Sequence, residues 1–560
     1  MKNLKFPVGI SNFAKLRDEG YYYIDKTNLI AELLAGGAAE VTLITRPRRF
    51  GKTLAMSMLA DFFDIRRQSQ GHFANLRIAT QQDICCQWQN SYPTIFISFK
   101  DIDGLSFPAA VEQFSLQLAN LYKEYNFLLA SEAIDADDKT AFQRIKAGKA
   151  DVPEISRALG NLMRMLRLYY GKAVILLLDE YDVPIAKASA HGYYKEMLNL
   201  LKPMLSTSLK DNPDLCFAVV TGCLRIAKES IFTGTNNFVT DSIVRSNLKE
   251  AFGFTHKEIR KLLVEAEATE YAATLRSWYD GYHFDNVDVY CPWDVISYLY
   301  DLQRNPQAKP VSYWKNTSDN SIVRSFVDFA SADITEKLEK LLAGEFIIQR
   351  IDDNLTYDYL HASEENLWSV LYLTGYLTKA REEELTTIVP EGYCALKLPK
   401  AEIKEIFETT VRQWFNDAAQ TWNRKALFAA VWSGNSALLT QEITSLLRRT
   451  ISYHDYREDF YHAFLAGIFT GAGYVVESNR EHGEGRSDII VKDIRNGRLA
   501  VFEVKHVKAW SLLENACAQA LLQIDSRQYI ADFQDDYDEI ICYGIAFFKK
   551  RCLVRKKDEA

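Results

Sequence analysis

The stretch VTLITRPRRFGKTLAMSMLADFF, residues 41–63, runs from a β-branched segment through a basic turn into a helix-like segment. A strand, a tight loop and a helix N-terminus together make a phosphate cradle, because the loop N–H groups and the helix dipole favour an anion. Lys52 would reach the β- and γ-phosphates and the Thr53 hydroxyl would ligate Mg²⁺. The stretch predicts a nucleotide-binding loop formed by Arg49, Phe50, Gly51, Lys52, Thr53 and Leu54.

The first position of this loop departs from the usual pattern GxxxxGK[ST], because Arg46 stands where the pattern has glycine. A basic turn that merely precedes a helix is therefore an alternative interpretation. A second motif, AVILLLDEY (residues 173–181), favours nucleotide binding, because its apolar run ends in Asp179 and Glu180. Two acids at the end of a buried strand are costly unless they bind or pair with a cation. We expect Asp179 to hold Mg²⁺ and Glu180 to polarise the attacking water.

Short apolar runs alternate with helix-like segments over residues 41–225. They include VTLIT (41–45), TIFISF (94–99), AVILLLD (173–179) and CFAVVTG (216–222). Continuous apolar runs of strand length are typical of a parallel sheet covered by helices on both faces. The pattern predicts an α/β fold with a P-loop NTPase parallel sheet and flanking helices.

The sequence pattern after residue 254 predicts two further regions. Residues 255–450 read as a mainly helical middle region, which opens with the capping-box spacing of Thr255 and Glu258. After residue 451, a helix (FYHAFLAGIF), the strands SDIIVKD and RLAVFEVKH with a turn at Asn496 and Gly497, and a helix (LLENACAQALLQI) predict a small C-terminal α/β domain. We therefore predict a domain over residues 1–254, a mainly helical lid or linker region over residues 255–450 and a domain over residues 451–560.

The two C-terminal strands carry a group of charged residues. If the strands pair, Asp488, Glu503 and Lys505 converge at one end, and Glu503 and Lys505 share a face because they are two residues apart. Two carboxylates can hold Mg²⁺ while leaving water positions open, and the lysine would orient or activate the nucleophile. A solvated strand face is the alternative for the ExK pair alone. The complete pattern indicates phosphodiester hydrolysis, with Asp488 and Glu503 as metal ligands.

Motifs within residues 4–290 resemble the bacterial AAA-ATPase-like family. They are YYYIDKTNLI, TRPRRFGKTL, LLLDEYD, TGCLRIAKESIFTGTNN, GFTHKEI and WYDGYHF. The family itself carries the RPRRFGKT form of the loop. The resemblance implies that residues 25–27 (DKT) lie near the nucleotide, although DKT also suits a helix cap. In such ATPases Thr221 would sense the γ-phosphate, or it would cap a turn. Arg225 and Arg245 would be arginine fingers in a homo-oligomer, or paired surface arginines.

Residues 457–550 resemble the PD-(D/E)XK nuclease domain that commonly follows this ATPase family, which has a restriction-endonuclease-like fold. The resemblance implies that Glu458 is the acid of the first helix and acts with Asp488, Glu503 and Lys505 in catalysis. Ser487 stands where the motif has proline. Gln523 and Tyr529 are similar to a glutamine and a tyrosine of RecB-like members, although packing of the helix would also explain them.

Composition limits the remaining function classes. The formal net charge is −8, and residues 451–560 hold 15 Lys and Arg against 18 Asp and Glu, so any nucleic-acid contact must be a local patch. The basic end FFKKRCLVRKK (547–557) suits a solvated tail more than a phosphate contact. Without a long apolar run or a signal peptide, we expect a cytoplasmic protein with reduced cysteines and no membrane partner.

Together the motifs support one leading hypothesis. The protein would bind and hydrolyse ATP with Mg²⁺ and be fused to a Mg²⁺-dependent nuclease, with DNA favoured over RNA and ATP turnover gating or positioning cleavage. The alternative is a nucleotide-switched module that binds nucleic acid or protein through a nuclease-like fold without cutting. A carbohydrate or nucleotide kinase would keep the loop but leave FEVK unexplained.

Overall fold

The chain forms two compact units in the computed structural model. Unit 1 comprises residues 1–323 and 344–407, and unit 2 comprises residues 324–343 and 408–560. The structure describes residues 2–225, 238–285, 287–314, 332–352, 355, 364–407, 424–450, 461, 465–466, 468–469, 474–482, 485–526, 533–534 and 536–557.

The α-helices are α1 Phe13–Asp18, α2 Asn28–Leu34, α3 Lys52–Phe63, α4 Gln70–Phe73, α5 Gln82–Trp88, α6 Phe107–Glu124, α7 Ala136–Lys146, α8 Val152–Tyr170, α9 Val183–His191, α10 Tyr194–Leu209, α11 His256–Glu265, α12 Ala272–Tyr279, α13 Pro292–Arg304, α14 Ala332–Leu342, α15 Glu364–Leu373, α16 Arg424–Ser433, α17 Ser436–Thr450 and α18 Leu513–Ser526. The strands are β1 Val41–Thr45, β2 Thr94–Ser98, β3 Val174–Asp179, β4 Leu215–Gly222, β5 Phe238–Asp241, β6 Phe254–Thr255, β7 Tyr282–Phe284, β8 Val287–Tyr290, β9 Ile347–Arg350, β10 Thr378–Lys379, β11 Tyr393–Lys397, β12 Val475–His482, β13 Gly485–Asp493, β14 Arg498–His506, β15 Glu539–Phe548 and β16 Arg551–Lys556.

Unit 1 is built on a five-stranded parallel sheet with the order β2-β3-β4-β1-β5. Every residue of β1 and β3 is buried, as expected of central strands covered on both faces. The α/β prediction for this region is confirmed, and the four predicted strands coincide with β1 to β4. Because all five strands are parallel, their carboxyl ends lie along one edge of the sheet.

The middle region is mainly helical and adds two small antiparallel sheets, β6-β8-β7 and β10-β11-β9. The predicted capping box is present at α11, where Thr255 and Glu258 satisfy each other's backbone N–H groups. Part of this region packs against the phosphate loop. Phe50 contacts the rings of Tyr282 and Phe284 at 4.9 and 5.1 Å between centroids. Residues 1–323 and 344–407 lie in the same compact unit as the P-loop sheet, and the lid or linker role of residues 255–450 stays a prediction.

Unit 2 contains a five-stranded mixed sheet with the order β12-β13-β14-β15-β16. β13 and β14 are antiparallel and joined at Asn496 and Gly497, as predicted, whereas β14 and β15 are parallel. One face packs on residues of α16 and α17, and the other face packs on α18. Gly544 allows α18 to approach β15 closely, because a Cβ at that position would lie 2.5 Å from the carbonyl oxygen of Cys517.

The basic end FFKKRCLVRKK is part of this sheet. It spans the end of β15, a turn and β16, and the side chains of Cys552 and Val554 are buried in the hydrophobic core. The interpretation of this segment as a solvated tail is therefore wrong. Its alternation of apolar and basic residues has period two, which is the pattern of a strand with one buried face.

Arg46 anchors the outer strand β5 to the start of the phosphate loop. Its side chain is fully buried, and its guanidinium donates to the carboxylate and backbone carbonyl of Asp241 and to Ser246 Oγ at 2.7 Å. Asp241 in turn accepts from the backbone N–H of Asn247 and Leu248. The residue at the usual glycine position is thus a structural cation that is paired inside unit 1.

We expect Arg46→Ala to lower the free energy of unfolding of unit 1 by about 3–5 kcal/mol, because Asp241 would keep a buried negative charge without its partner. Urea denaturation of the nucleotide-free protein measures this change. Arg245→Ala removes an exposed arginine of the same turn and should change the value by less than about 0.5 kcal/mol. Equal effects of the two substitutions would contradict the anchoring role.

Candidate active sites

The carboxylate of Asp179 organises the carboxyl edge of the parallel sheet. Asp179 is the last residue of β3 and is completely buried. It accepts hydrogen bonds from Thr53 Oγ1 at 2.9 Å, Ser98 Oγ at 3.1 Å and Thr221 Oγ1 at 2.6 Å. Burial, together with the neighbouring Glu180, raises the pKa of Asp179 above its ordinary value. The structure thus brings together the two side chains, Thr53 and Asp179, that the sequence assigned to Mg²⁺.

Lys52 lies inside the phosphate loop. Its Nζ donates to the carbonyl oxygens of Arg46 and Pro47 at 3.0 and 3.2 Å, and it lies 3.6 Å from Glu180 Oε1. Burial by itself would lower the pKa of Lys52, but the nearby Cys223 sulfur and the acidic groups around Glu180 raise it above its ordinary value. The lysine therefore remains a cation at the centre of the loop, where a phosphate anion would be attracted.

The loop backbone adopts two left-handed conformations. Arg49 has φ 72° and Gly51 has φ 84°, and Gly51 is the N-cap residue of α3. A Cβ on Gly51 would meet no atom within 4 Å, so the loop is open at this position. Left-handed residues turn successive N–H groups toward one side, which is the geometry of an anion-binding loop. Phe50 is buried, and Arg49 stacks its guanidinium over Trp293 at 4.4 Å.

A third acid belongs to this group and was not singled out from the sequence. Asp182 is buried and accepts from the backbone N–H of Cys223 and Leu224 at 2.9 and 3.0 Å. Burial, together with Glu180, raises its pKa to about 6. Asp182 therefore holds the segment that follows β4 against the end of β3. The only sign of this role in the sequence was the position of Asp182 in the motif LLLDEYD. Its hydrogen-bond partners follow another strand, β4, and could not be identified from the motif.

The structure describes the surroundings of the other residues that the resemblance suggested. Asp25 accepts from the backbone N–H of Thr27 and Arg77, and Lys26 pairs with Glu258 at 2.7 Å. These bonds tie the DKT segment to neighbouring elements of unit 1. Arg245 is exposed. Arg225 is partly buried and is the last described residue before position 238.

The two carboxylates of unit 2 lie next to each other on paired strands. The register of β13 and β14 pairs Ile489 with Phe502, so one step further Asp488 stands opposite Glu503. Asp488 Oδ2 accepts from the backbone N–H of Val504 at 2.7 Å. Opposite residues of an antiparallel pair project to the same face. The convergence of Asp488 and Glu503 that the sequence predicted is therefore present.

Glu503 is fully buried, and its Oε1 lies 3.0 Å from Lys505 Nζ. Its second oxygen, Oε2, is buried and has no hydrogen-bond partner among the residues that the structure describes. Burial, together with the charge of Asp488, raises the pKa of Glu503 to about 7 although Lys505 opposes this shift. A buried carboxylate oxygen without a partner costs free energy, and a cation bound between Asp488 and Glu503 would satisfy it. The donor set fits Mg²⁺, which prefers oxygen ligands and keeps several waters.

The third acid of the predicted nuclease site, Glu458, lies outside the described residues, as does Tyr529. Over the part of the chain that the structure describes, no three or more His, Cys, Asp or Glu side chains cluster as metal ligands would. Ser487 stands in β13, and Gln523 stands near the end of α18. Two carboxylates and one lysine are therefore what the described residues contribute to this site.

Two regions of the chain, each containing one of these groups of residues, match known protein families. Residues 7–232 match the model described as predicted AAA-ATPase, AAA-ATPase-like, and residues 456–557 match that of the PD-(D/E)XK nuclease superfamily. An uncharacterized protein in the vnfD 5′ region of Azotobacter chroococcum mcd 1 is 23% identical over 557 residues, covering 98% of this chain and 97% of the relative. None of the described helices is long and apolar enough to cross a membrane. The chain thus joins an AAA-ATPase-like region to a region of the PD-(D/E)XK nuclease superfamily.

Proposed function

We propose that the protein binds and hydrolyses ATP in unit 1 and that unit 2 is a Mg²⁺-dependent nuclease acting on DNA. The observation that carries the proposal is the pairing of Asp488 with the buried Glu503 beside Lys505, in a chain that also holds Lys52 within a phosphate loop. In each unit a lysine and neighbouring carboxylates lie together, and they would bind a phosphate group and its metal ion.

In unit 1 each side chain of the phosphate-binding group would have a different role in ATP hydrolysis. Lys52 contributes a fixed positive charge for the β- and γ-phosphates. The hydroxyl of Thr53 and the carboxylate of Asp179, which are already hydrogen-bonded, would hold Mg²⁺ and its waters. Glu180 lies 3.6 Å from Lys52 at the same edge and would orient the attacking water. Thr221 keeps Asp179 in place through its hydrogen bond.

In unit 2 Asp488 and Glu503 would hold Mg²⁺, and Lys505 would orient the nucleophile. A bound Mg²⁺ lowers the pKa of water and stabilises negative charge on the scissile phosphate. Such a site supplies its own nucleophile and does not need a ribose 2′-hydroxyl, so DNA is a sufficient substrate. Lys505 is one-quarter exposed and can reach both Glu503 and an incoming phosphate.

Lys505→Ala should abolish Mg²⁺- or Mn²⁺-dependent cutting of DNA, lowering the rate by about 100-fold or more because the positioned cation acts at the reacting phosphate. Degradation of labelled DNA by the purified full-length protein, with and without ATP, measures this. Arg495→Ala, at the turn on the opposite end of β13 and β14, is the matched control and should cut normally. Equal cutting by Lys505→Ala and wild type would refute the assignment, and metal-independent DNA binding without cutting would instead support the nucleotide-switched module.

Lys52→Ala should abolish ATP binding, and Glu180→Gln should bind ATP but not hydrolyse it, because the first removes the phosphate cation and the second removes the base. Binding of a fluorescent ATP analogue and phosphate release distinguish the two defects. Lys123→Ala and Glu112→Gln alter exposed residues of α6 and should behave as wild type. Normal hydrolysis by Glu180→Gln would show that another residue is the base.

Metal binding by unit 2 should depend on pH. With a folded-state pKa of about 7 against about 4.3 in the unfolded chain, Glu503 takes up a proton on folding between these pH values, so in EDTA the free energy of unfolding falls as the pH rises from about 4 to about 7. Mn²⁺ has no proton to displace above that pH. Mn²⁺ should therefore raise Tm more at about pH 8 than at about pH 6. Glu503→Gln should lose both the fall of stability with pH in EDTA and the pH dependence of the rise in Tm with Mn²⁺. Glu539→Gln, an exposed control, should keep them.

A further inference from the structure

An exposed tryptophan surrounded by cations lies beyond the end of β14. Trp510 is 53% exposed, and the guanidinium carbon of Arg551 lies 5.1 Å from the centre of its ring. Lys508 is exposed two residues before it, and Lys549 and Lys550 precede Arg551. We call these five residues the Trp510 surface. The Trp510 surface thus combines one large exposed aromatic side chain with four basic residues on the outside of unit 2.

The strand register places the Trp510 surface at the catalytic end of the sheet. β14 and β15 are parallel and pair His506 with Phe547, and Val507 N–H donates to the carbonyl of Phe547 at 2.9 Å. β16 begins at Arg551 opposite Phe548. The segment after β14 and the turn after β15 therefore leave the sheet together. His506 is three residues, about 10 Å, beyond Glu503.

The Trp510 surface also lies on the same face of the sheet as the carboxylates. Side chains two residues apart on a strand share a face. Val501 packs with α18 residues, so Glu503 and Lys505 point to the α18 side. On β16, Leu553 and Arg555 contact α18 or its residues, so Arg551 points to that side as well.

Charge is distributed unevenly along β15. Asp536, Asp538 and Glu539 precede or start the strand, whereas Lys549, Lys550 and Arg551 follow its end. The strand has ten residues, so the two groups are separated by about 30 Å, which exceeds the Debye length of about 8 Å at physiological salt. Asp536, Asp538 and Glu539 therefore do not cancel the positive charge of Lys549, Lys550 and Arg551.

We infer that the Trp510 surface binds unpaired nucleotides of single-stranded DNA and leads the strand to Asp488, Glu503 and Lys505. A base stacks on the indole of Trp510, and the flanking phosphates contact Arg551 and Lys508. Aromatic stacking requires a free base face, which a base inside a duplex does not offer. The inference rests on the proposed nuclease function and names its substrate class.

Binding of the full-length protein to a fluorescein-labelled single-stranded DNA and to the corresponding duplex, measured in EDTA by anisotropy, tests the inference. Trp510→Ala should weaken single-strand binding by about 5- to 100-fold, the range of losing one stacked base, and duplex binding by less than about twofold. Arg551→Ala should reduce the slope of log K against log salt by about 0.7 for the lost phosphate contact.

Tyr300→Ala is the matched control, because Tyr300 is an exposed aromatic residue with Arg304 at 5.5 Å from its ring and lies in unit 1. It should bind single strands as wild type does. The inference is wrong if Trp510→Ala binds single strands as tightly as wild type, or if Tyr300→Ala loses as much binding as Trp510→Ala. Either outcome overturns it even if the protein cuts DNA. Loss of single-strand binding in Trp510→Ala alone supports it even if no condition gives cutting, in which case only the proposed cleavage fails.

Discussion

Three hydroxyl groups from three different elements converge on the carboxylate of Asp179. Thr53 lies in the first turn of α3, Ser98 ends β2 and Thr221 lies near the end of β4. Burying this acid would be costly without these donors, and the donors meet only because the parallel strands end along one edge. This contact joins the start of α3 and the ends of β2 and β4 to the end of β3.

The two units place similar chemical groups by different topologies. In unit 1 a lysine from a loop approaches Glu180 at the end of a parallel strand. In unit 2 Lys505 approaches Glu503 on the same strand, and the second acid comes from the antiparallel neighbour. In unit 2 burial keeps water away from Glu503 and strengthens its interaction with Lys505, whereas the side chain of Glu180 in unit 1 is 18% exposed. The raised pKa of Glu503 reflects the same burial, because the carboxylate has only one fixed positive partner among the contacts described.

Arg46 and the basic end of the chain show how context changes the meaning of a residue. Arg46 stands at the position where a phosphate loop usually has glycine. Its side chain points into the interior and pairs with Asp241, so it stabilises the position of the outer strand β5 beside the loop. The segment FFKKRCLVRKK buries Cys552 and Val554 in the core of unit 2 and places its first cations after the end of β15. Net charge alone conceals this arrangement, because Asp536, Asp538 and Glu539 lie at the other end of β15.

The sequence by itself determined the elements whose signals are local. The strands β1, β3, β13 and β14, the loop before α3 and the capping box of α11 follow from hydrophobic period, turn residues and helix-start spacing, and the pairing of Asp488 with Glu503 follows from one short hairpin. Only the tertiary structure decided which distant residues meet. The partners of Asp179, Asp182 and Arg46, and the approach of Arg551 to Trp510, depend on strand order and register across long loops, and no period along the chain encodes these contacts.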